Sequence, residues 1–78
     1  MKNLKKLNLE SNRIFSIKAL ESLKNLEELN INFNYVEKAQ VLKKLPNLKK
    51  VNLMHNPIIT IDGIQYCNSL TSLNIAYT

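Results

Sequence analysis

A chain of 78 residues suffices for one small domain, and a globule of that size buries only about 60% of its unfolded surface. Its one cysteine, Cys67, excludes an intrachain disulfide and a cysteine-based zinc site, and no apolar run reaches the ~20 residues that a bilayer span needs. The net charge of +5 raises the prospect of an anionic partner, but the excess is spread as Lys5-Lys6, Lys43-Lys44 and Lys49-Lys50 with few aromatics between, as on a solvated lysine-rich surface.

The chain opens on Met1-Lys2-Asn3-Leu4-Lys5-Lys6, positive but without a following apolar stretch, so it does not read as a signal peptide. With no Asn-x-Ser/Thr site either, the expectation is a soluble, intracellular protein, cytoplasmic or nuclear. Leu7-x-Leu9 then alternates as a one-sided strand does. From Ile14 the apolar residues come at every third position, through Ile17 and Leu20 to Leu23. That spacing predicts a tight helical or 3₁₀-like segment with one buried face.

The pattern then starts again. Leu4, Leu26, Leu48 and Leu70 recur at a constant interval of 22 residues. The same shift carries Leu7 to Leu29, Val51 and Leu73, and Leu9 to Ile31, Leu53 and Ile75. It carries Asn12 to Asn34, Asn56 and Thr78. The returning segment repeats as well: Ile14, Val36, Ile58; Ile17, Ala39, Ile61; Leu20, Leu42, Ile64; Leu23, Leu45, Cys67. In the second unit, Glu37 to Leu45 is rich in helix formers and is the best candidate for a true helical turn or two, ended by Pro46. In the third, Asp62-Gly63 predicts a turn before a shorter helix. Leu73 onward opens a fourth strand. A single strand–turn–helix unit cannot bury its apolar face alone, so stacked units are expected to form a parallel sheet with a continuous core behind it.

The run Leu4-x-x-Leu7-x-Leu9-x-x-Asn12-x-Ile14 resembles the leucine-rich repeat pattern. The resemblance covers residues 1–78 as units 4–25, 26–47 and 48–69 and a partial unit 70–78. Its 22-residue length is similar to the subclass found in a regulatory subunit of protein phosphatase 1; internalins, an axonemal dynein light chain and a spliceosomal ribonucleoprotein subunit carry similar repeats. The resemblance implies an α/β solenoid with a concave parallel sheet, convex helical or 3₁₀ segments, and a concave face that binds protein. Thr78 stands where the pattern has Asn, and neither end carries a recognisable cap. The chain therefore reads as a piece of a longer solenoid or as one whose edge strands pair with another copy or partner.

Asn12, Asn34 and Asn56 have a structural explanation, since a side-chain amide at the strand exit can satisfy backbone groups that the turn leaves unpaired. Asn8, Asn30, Asn52 and Asn74 fall between the apolar strand residues and are expected to line the concave face, either as stacked amides or as ligand contacts. Beside them, Lys6, Glu28, Lys50, Ser72 and Lys5, Glu27, Lys49, Thr71 suggest cross-strand ion pairs. Past the strand centre come Glu10, Asn32, Met54, Ala76 and then Ser11, Phe33, His55, Tyr77. An exposed aromatic column is what a binding hot spot contains, although Phe33 or Tyr77 could instead fold back on the core. The expected partner surface is Asn30, Asn32, Phe33, Asn52, Met54, His55 and Tyr77.

Catalysis, a cofactor and a metal are not expected. His55 has no second histidine or suitably spaced carboxylate, Gly63 alone cannot form a phosphate loop, and Cys67 sits in an apolar column as a small buried hydrophobe. Two readings stay open: a protein-binding scaffold of the phosphatase-regulator kind, and a ribonucleoprotein component that uses its lysines and binds in a salt-dependent way.

Overall fold

The computed structural model describes residues 3–60, 67 and 69–75. Four three-residue strands, β1 (Lys6–Asn8), β2 (Glu28–Asn30), β3 (Lys50–Asn52) and β4 (Ser72–Asn74), form one parallel sheet in the order β1-β2-β3-β4. The register follows the repeat: Leu7 lies opposite Leu29, Leu29 opposite Val51, and Val51 opposite Leu73. Parallel neighbours need a crossover, and each crossover here is the remainder of one repeat.

Among the described residues two crossovers carry 3₁₀ helices, η1 (Lys18–Ser22) and η2 (Gln40–Lys44). The second gives the helical turn or two expected within Glu37–Leu45 its 3₁₀ form, over the shorter span Gln40–Lys44. Glu37 and Lys38 lie before the helix instead, Glu37 O accepting the Ile59 and Thr60 N–H groups and Lys38 bridging Thr60 of the next unit. The bonds that follow run from each N–H to the third carbonyl back: Leu42 to Ala39 at 3.1 Å, Leu45 to Leu42 at 3.1 Å, Leu48 to Leu45 at 3.2 Å. The reason lies in the apolar spacing. Three-residue periodicity keeps Ala39, Leu42 and Leu45 on one line in a 3₁₀ helix, whereas an α-helix turns each third residue about 60° away. Burial outweighs the helix-forming tendency of Gln40-Val41-Leu42-Lys43-Lys44. The predicted Asp62-Gly63 turn lies outside the described residues.

The core runs along the sheet. Leu26, Leu29, Ile31, Leu42, Leu45, Leu48, Val51 and Leu53 are fully buried, each contributing about 1.5–3 kcal/mol relative to exposure. The matching residues of the first unit, Leu4, Leu7, Leu9 and Ile14, are only partly buried. Their strand has a neighbour on one side only, so a repeat's core is complete only when it is flanked on both sides. Cys67 joins the core in part rather than fully, and its Sγ–H donates to Leu42 O at 3.4 Å.

Candidate functional site

The turn after each strand decides what the concave rim presents. Asn34 and Asn56 are buried inside that turn. The Asn34 Nδ2 donates to Leu9 O, Ile31 O and Asn32 O at 2.9, 3.0 and 3.1 Å, and its Oδ1 accepts the Asn12 and Ile14 N–H groups, both at 2.9 Å. Asn56 repeats this one unit on, donating to Ile31 O, Leu53 O and Met54 O and accepting from Val36 N. Asn12 is different: it is exposed, and among the described residues its Nδ2 reaches only Glu10 O, at 3.1 Å. The ladder expected from the sequence thus stands at two of its three rungs, where a preceding unit supplies carbonyls.

To bring these amides inward the backbone turns left-handed just before them. Ser11, Phe33 and His55, equivalent positions of successive units, have φ of 61°, 59° and 60°. A β-carbon in this region costs on the order of 1–3 kcal/mol and persists where the surroundings over-determine it. Here the amide bonds and the continued ladder hold it: Ser11 N donates to Asn32 O, and Phe33 N to Met54 O.

The same turn aims two side chains outward together. The rings of Phe33 and His55 stack with centroids 4.3 Å apart and planes 10° from parallel, an arrangement worth about 0.5–1.5 kcal/mol beyond burial. Phe33 remains 51% exposed, so it does not fold back on the core. Tyr77, expected as the third member, lies outside the described residues, as does Ala76.

Asn32 is a correction. Expected on the open face, it is only 7% exposed. Its N–H donates to Asn30 Oδ1 and its own Oδ1 accepts Met54 N. Alternation ends where the left-handed turn begins, so the residue before Phe33 is drawn into the turn. Met54 and Asn52 are half-buried. Asn8 and Asn30 each accept an N–H two residues on, from Glu10 and Asn32, and Asn30 Nδ2 also donates to Glu10 Oε1. In the third unit Met54 N goes to Asn32 instead, and the Asn52 amide makes no hydrogen bond among the described residues. A shallow hollow of about 320 Å³ lies on this face, lined by Lys6, Asn8, Glu28, Asn30 and Asn52 with the sheet as its floor.

Cross-strand ion pairs are present at Lys6–Glu28 (3.7 Å) and Lys49–Glu27 (3.9 Å), with a further pair, Lys44–Glu21 (3.3 Å), between η2 and η1. These place a carboxylate beside Lys6, Lys44 and Lys49. Among the described residues no group of three His, Cys, Asp or Glu side chains could hold a metal ion, and no helix is long and apolar enough to cross a membrane.

Sequence reasoning missed a second aromatic pair. Phe15 and Tyr35 stack across the first two units with centroids 5.1 Å apart and planes 23° from parallel. They belong to different repeat columns, so aligning units does not pair them. The available signal was their separation of 20 residues, two short of a repeat.

A family model for Leucine Rich repeats (2 copies) matches residues 2–44, and a second, for a Leucine Rich repeat, matches residues 44–65. A search of curated proteins gave no significant match. Such repeats generally serve as protein–protein interaction modules and are typically non-catalytic. With the first model spanning more than half the chain, and a parallel sheet whose register steps by one repeat per strand, the chain belongs to the leucine-rich repeat family.

Proposed function

We propose that the chain is a non-catalytic scaffold whose concave rim binds another protein, with the Phe33–His55 stack as the anchor. The observation that carries this reading is the stack itself: two aromatic side chains held parallel by left-handed backbone, one of them half in solvent. Rigid, partly exposed aromatics surrounded by polar groups are the usual composition of a binding hot spot. Asn30, Asn52 and Met54 flank the anchor, Asn52 with an amide open to a partner's backbone; Asn32 contributes through the turn it stabilises. Tyr77 extends the column in the sequence.

The finer reading is a regulatory subunit similar to the phosphatase-associated members with 22-residue repeats, acting inside the cell. Repeat length and the apolar spacing of three support it. The ribonucleoprotein alternative is less favoured, because Glu21, Glu27 and Glu28 each engage a lysine and interrupt any basic track. Affinity capture with the whole chain at low and moderate salt tests the proposal. A discrete protein retained at moderate salt by the wild type and lost with Phe33→Ala/His55→Ala supports it. Retention by that variant overturns the assignment of this face, and salt-sensitive RNA in place of protein overturns the scaffold reading.

A further inference from the structure

A second surface lies between the two 3₁₀ helices and shares no residue with the concave rim. η1 and η2 pack side by side, and a groove of about 410 Å³ opens between them. Ile17 and Val41, both core residues, reach its floor. Phe15 stands at its wall, 72% exposed and fixed in place by its stack on Tyr35.

The groove's charge is uneven. Lys18, Lys38, Lys43 and Lys44 line it against Glu21 and Glu37. Lys44 is committed to Glu21, at 3.3 Å. That leaves three cations facing one carboxylate around an apolar wall. An occupant that complements this surface carries negative charge and at least one apolar side chain. It also supplies a hydrogen-bond donor, because Glu37 is an acceptor only. A peptide meets all three demands, since its backbone N–H groups can meet the Glu37 carboxylate while its acidic side chains meet the lysines. A phosphodiester backbone supplies neither a donor for Glu37 nor an apolar side chain for the wall at Phe15.

We propose that this groove is a docking site for a short acidic peptide segment with apolar side chains, such as an acidic–hydrophobic stretch of a partner protein. The Phe15 ring and the groove floor take an apolar side chain, and Lys18, Lys38 and Lys43 take the flanking carboxylates.

The test is a fluorescence-polarisation titration of the whole chain with a short fluorescein-labelled peptide of alternating glutamate and leucine. The comparison probes are the lysine–leucine counterpart and oligouridylate. The expected result is at least about tenfold tighter binding of the acidic peptide than of the basic one, corresponding to about 1.4 kcal/mol. Phe15→Ser should weaken the acidic peptide about tenfold; the side chain is exposed, so the fold survives the change. Lys38→Glu/Lys43→Glu should reverse the preference toward the lysine peptide, while the charge-matched Lys5→Glu/Lys50→Glu should not. Equal affinity for the two peptides, indifference to Phe15→Ser, or displacement of the peptide by oligouridylate overturns the proposal. Because the groove and the concave rim have no residue in common, either assignment can fail without the other.

Discussion

Asn34 Oδ1 accepts the main-chain N–H of Asn12 from the preceding unit, 2.9 Å away, so a side chain of one repeat completes the turn of its neighbour. The same carboxamide donates to Leu9 O across that boundary and to Ile31 O and Asn32 O within its own unit. The interface between repeats is thus both hydrogen-bonded and apolar, and a unit's turn is finished only after the next unit has docked.

Asn56 offers the sharpest test of that arrangement. It is fully buried, and replacing it by Ala strands the carbonyl of Leu53 and the N–H of Val36, while Ile31 O keeps Asn34 Nδ2 and Met54 O keeps Phe33 N. Each unsatisfied buried group costs about 1–3 kcal/mol, so Asn56→Ala should lower stability by about 2 kcal/mol or more. Asn12→Ala, at the exposed equivalent position, should cost less than about 1 kcal/mol. Urea unfolding followed by far-ultraviolet circular dichroism compares them; equal losses would show that the amide bonds do not hold the turn.

Ser11 tests the backbone strain separately from the amide. Its φ is 61° and its side chain is exposed. Ser11→Gly removes the β-carbon that makes this region costly and keeps the N–H to Asn32 O. Stability should rise by about 0.5–1 kcal/mol, net of glycine's extra freedom when unfolded. Ser11→Val should lose at least about 1 kcal/mol, because β-branching crowds the left-handed region. If Gly destabilises as Val does, the turn is not strained at this position.

Particular residues show what the sequence made legible. Leu29, Ile31, Val51 and Leu53 were readable as core because strand alternation and the 22-residue step agree on them, and all four are buried. Asn34 and Asn56 were readable because an amide conserved between units inside an apolar pattern must satisfy backbone. Asn32 was misread for one reason: alternation was carried one residue too far, into a turn whose left-handed geometry at Phe33 has no glycine to announce it. The groove beside Phe15 was hidden because it is built from different columns of adjacent units, and repeat alignment compares like with like. The helical turn or two expected within Glu37–Leu45 takes the 3₁₀ form over Gln40–Lys44, because propensity is a weak prior beside a three-residue apolar spacing.

The cross-strand charges predict a salt-dependent effect. Glu28 sits in register between Lys6 and Lys50 and pairs with Lys6 at 3.7 Å. Glu28→Lys would place three lysines side by side on neighbouring strands about 4.8 Å apart. The expected loss is about 1 kcal/mol at low ionic strength, with Glu28→Gln intermediate. The gap between Glu28→Lys and the wild type should shrink as salt is raised. A salt-independent loss would point to packing instead.

Burial pushes the Cys67 thiol above its usual range, and its Sγ–H donates to Leu42 O. At mildly alkaline pH less of it is thiolate than in a free cysteine, so alkylation by iodoacetamide should be slower in the folded chain and recover in urea. The sign of the linkage follows. Above the ordinary thiol range the unfolded chain has released this proton while the folded chain still holds it, so stability falls as pH rises there. Replacement by Ala should flatten that alkaline slope. A thiol that reacts equally fast folded and unfolded would show that the third unit does not shield it.

Phe33→Gly separates recognition from folding in a single change. The phenyl ring is half exposed and its contribution to the fold is chiefly the stack on His55, worth about 0.5–1.5 kcal/mol. Its φ of 59° imposes a strain that glycine does not feel. The two effects oppose each other, so the stability of Phe33→Gly should lie within about 1 kcal/mol of the wild type. Loss of a central aromatic anchor, by contrast, typically weakens a protein complex by about 2 kcal/mol or more, roughly thirtyfold. Calorimetric titration against the captured partner, with urea unfolding of the same sample, reads both quantities. Strong loss of affinity with unchanged stability assigns the ring to the interface. Unchanged affinity removes the stack from the binding surface and makes the left-handed column a feature of the fold alone.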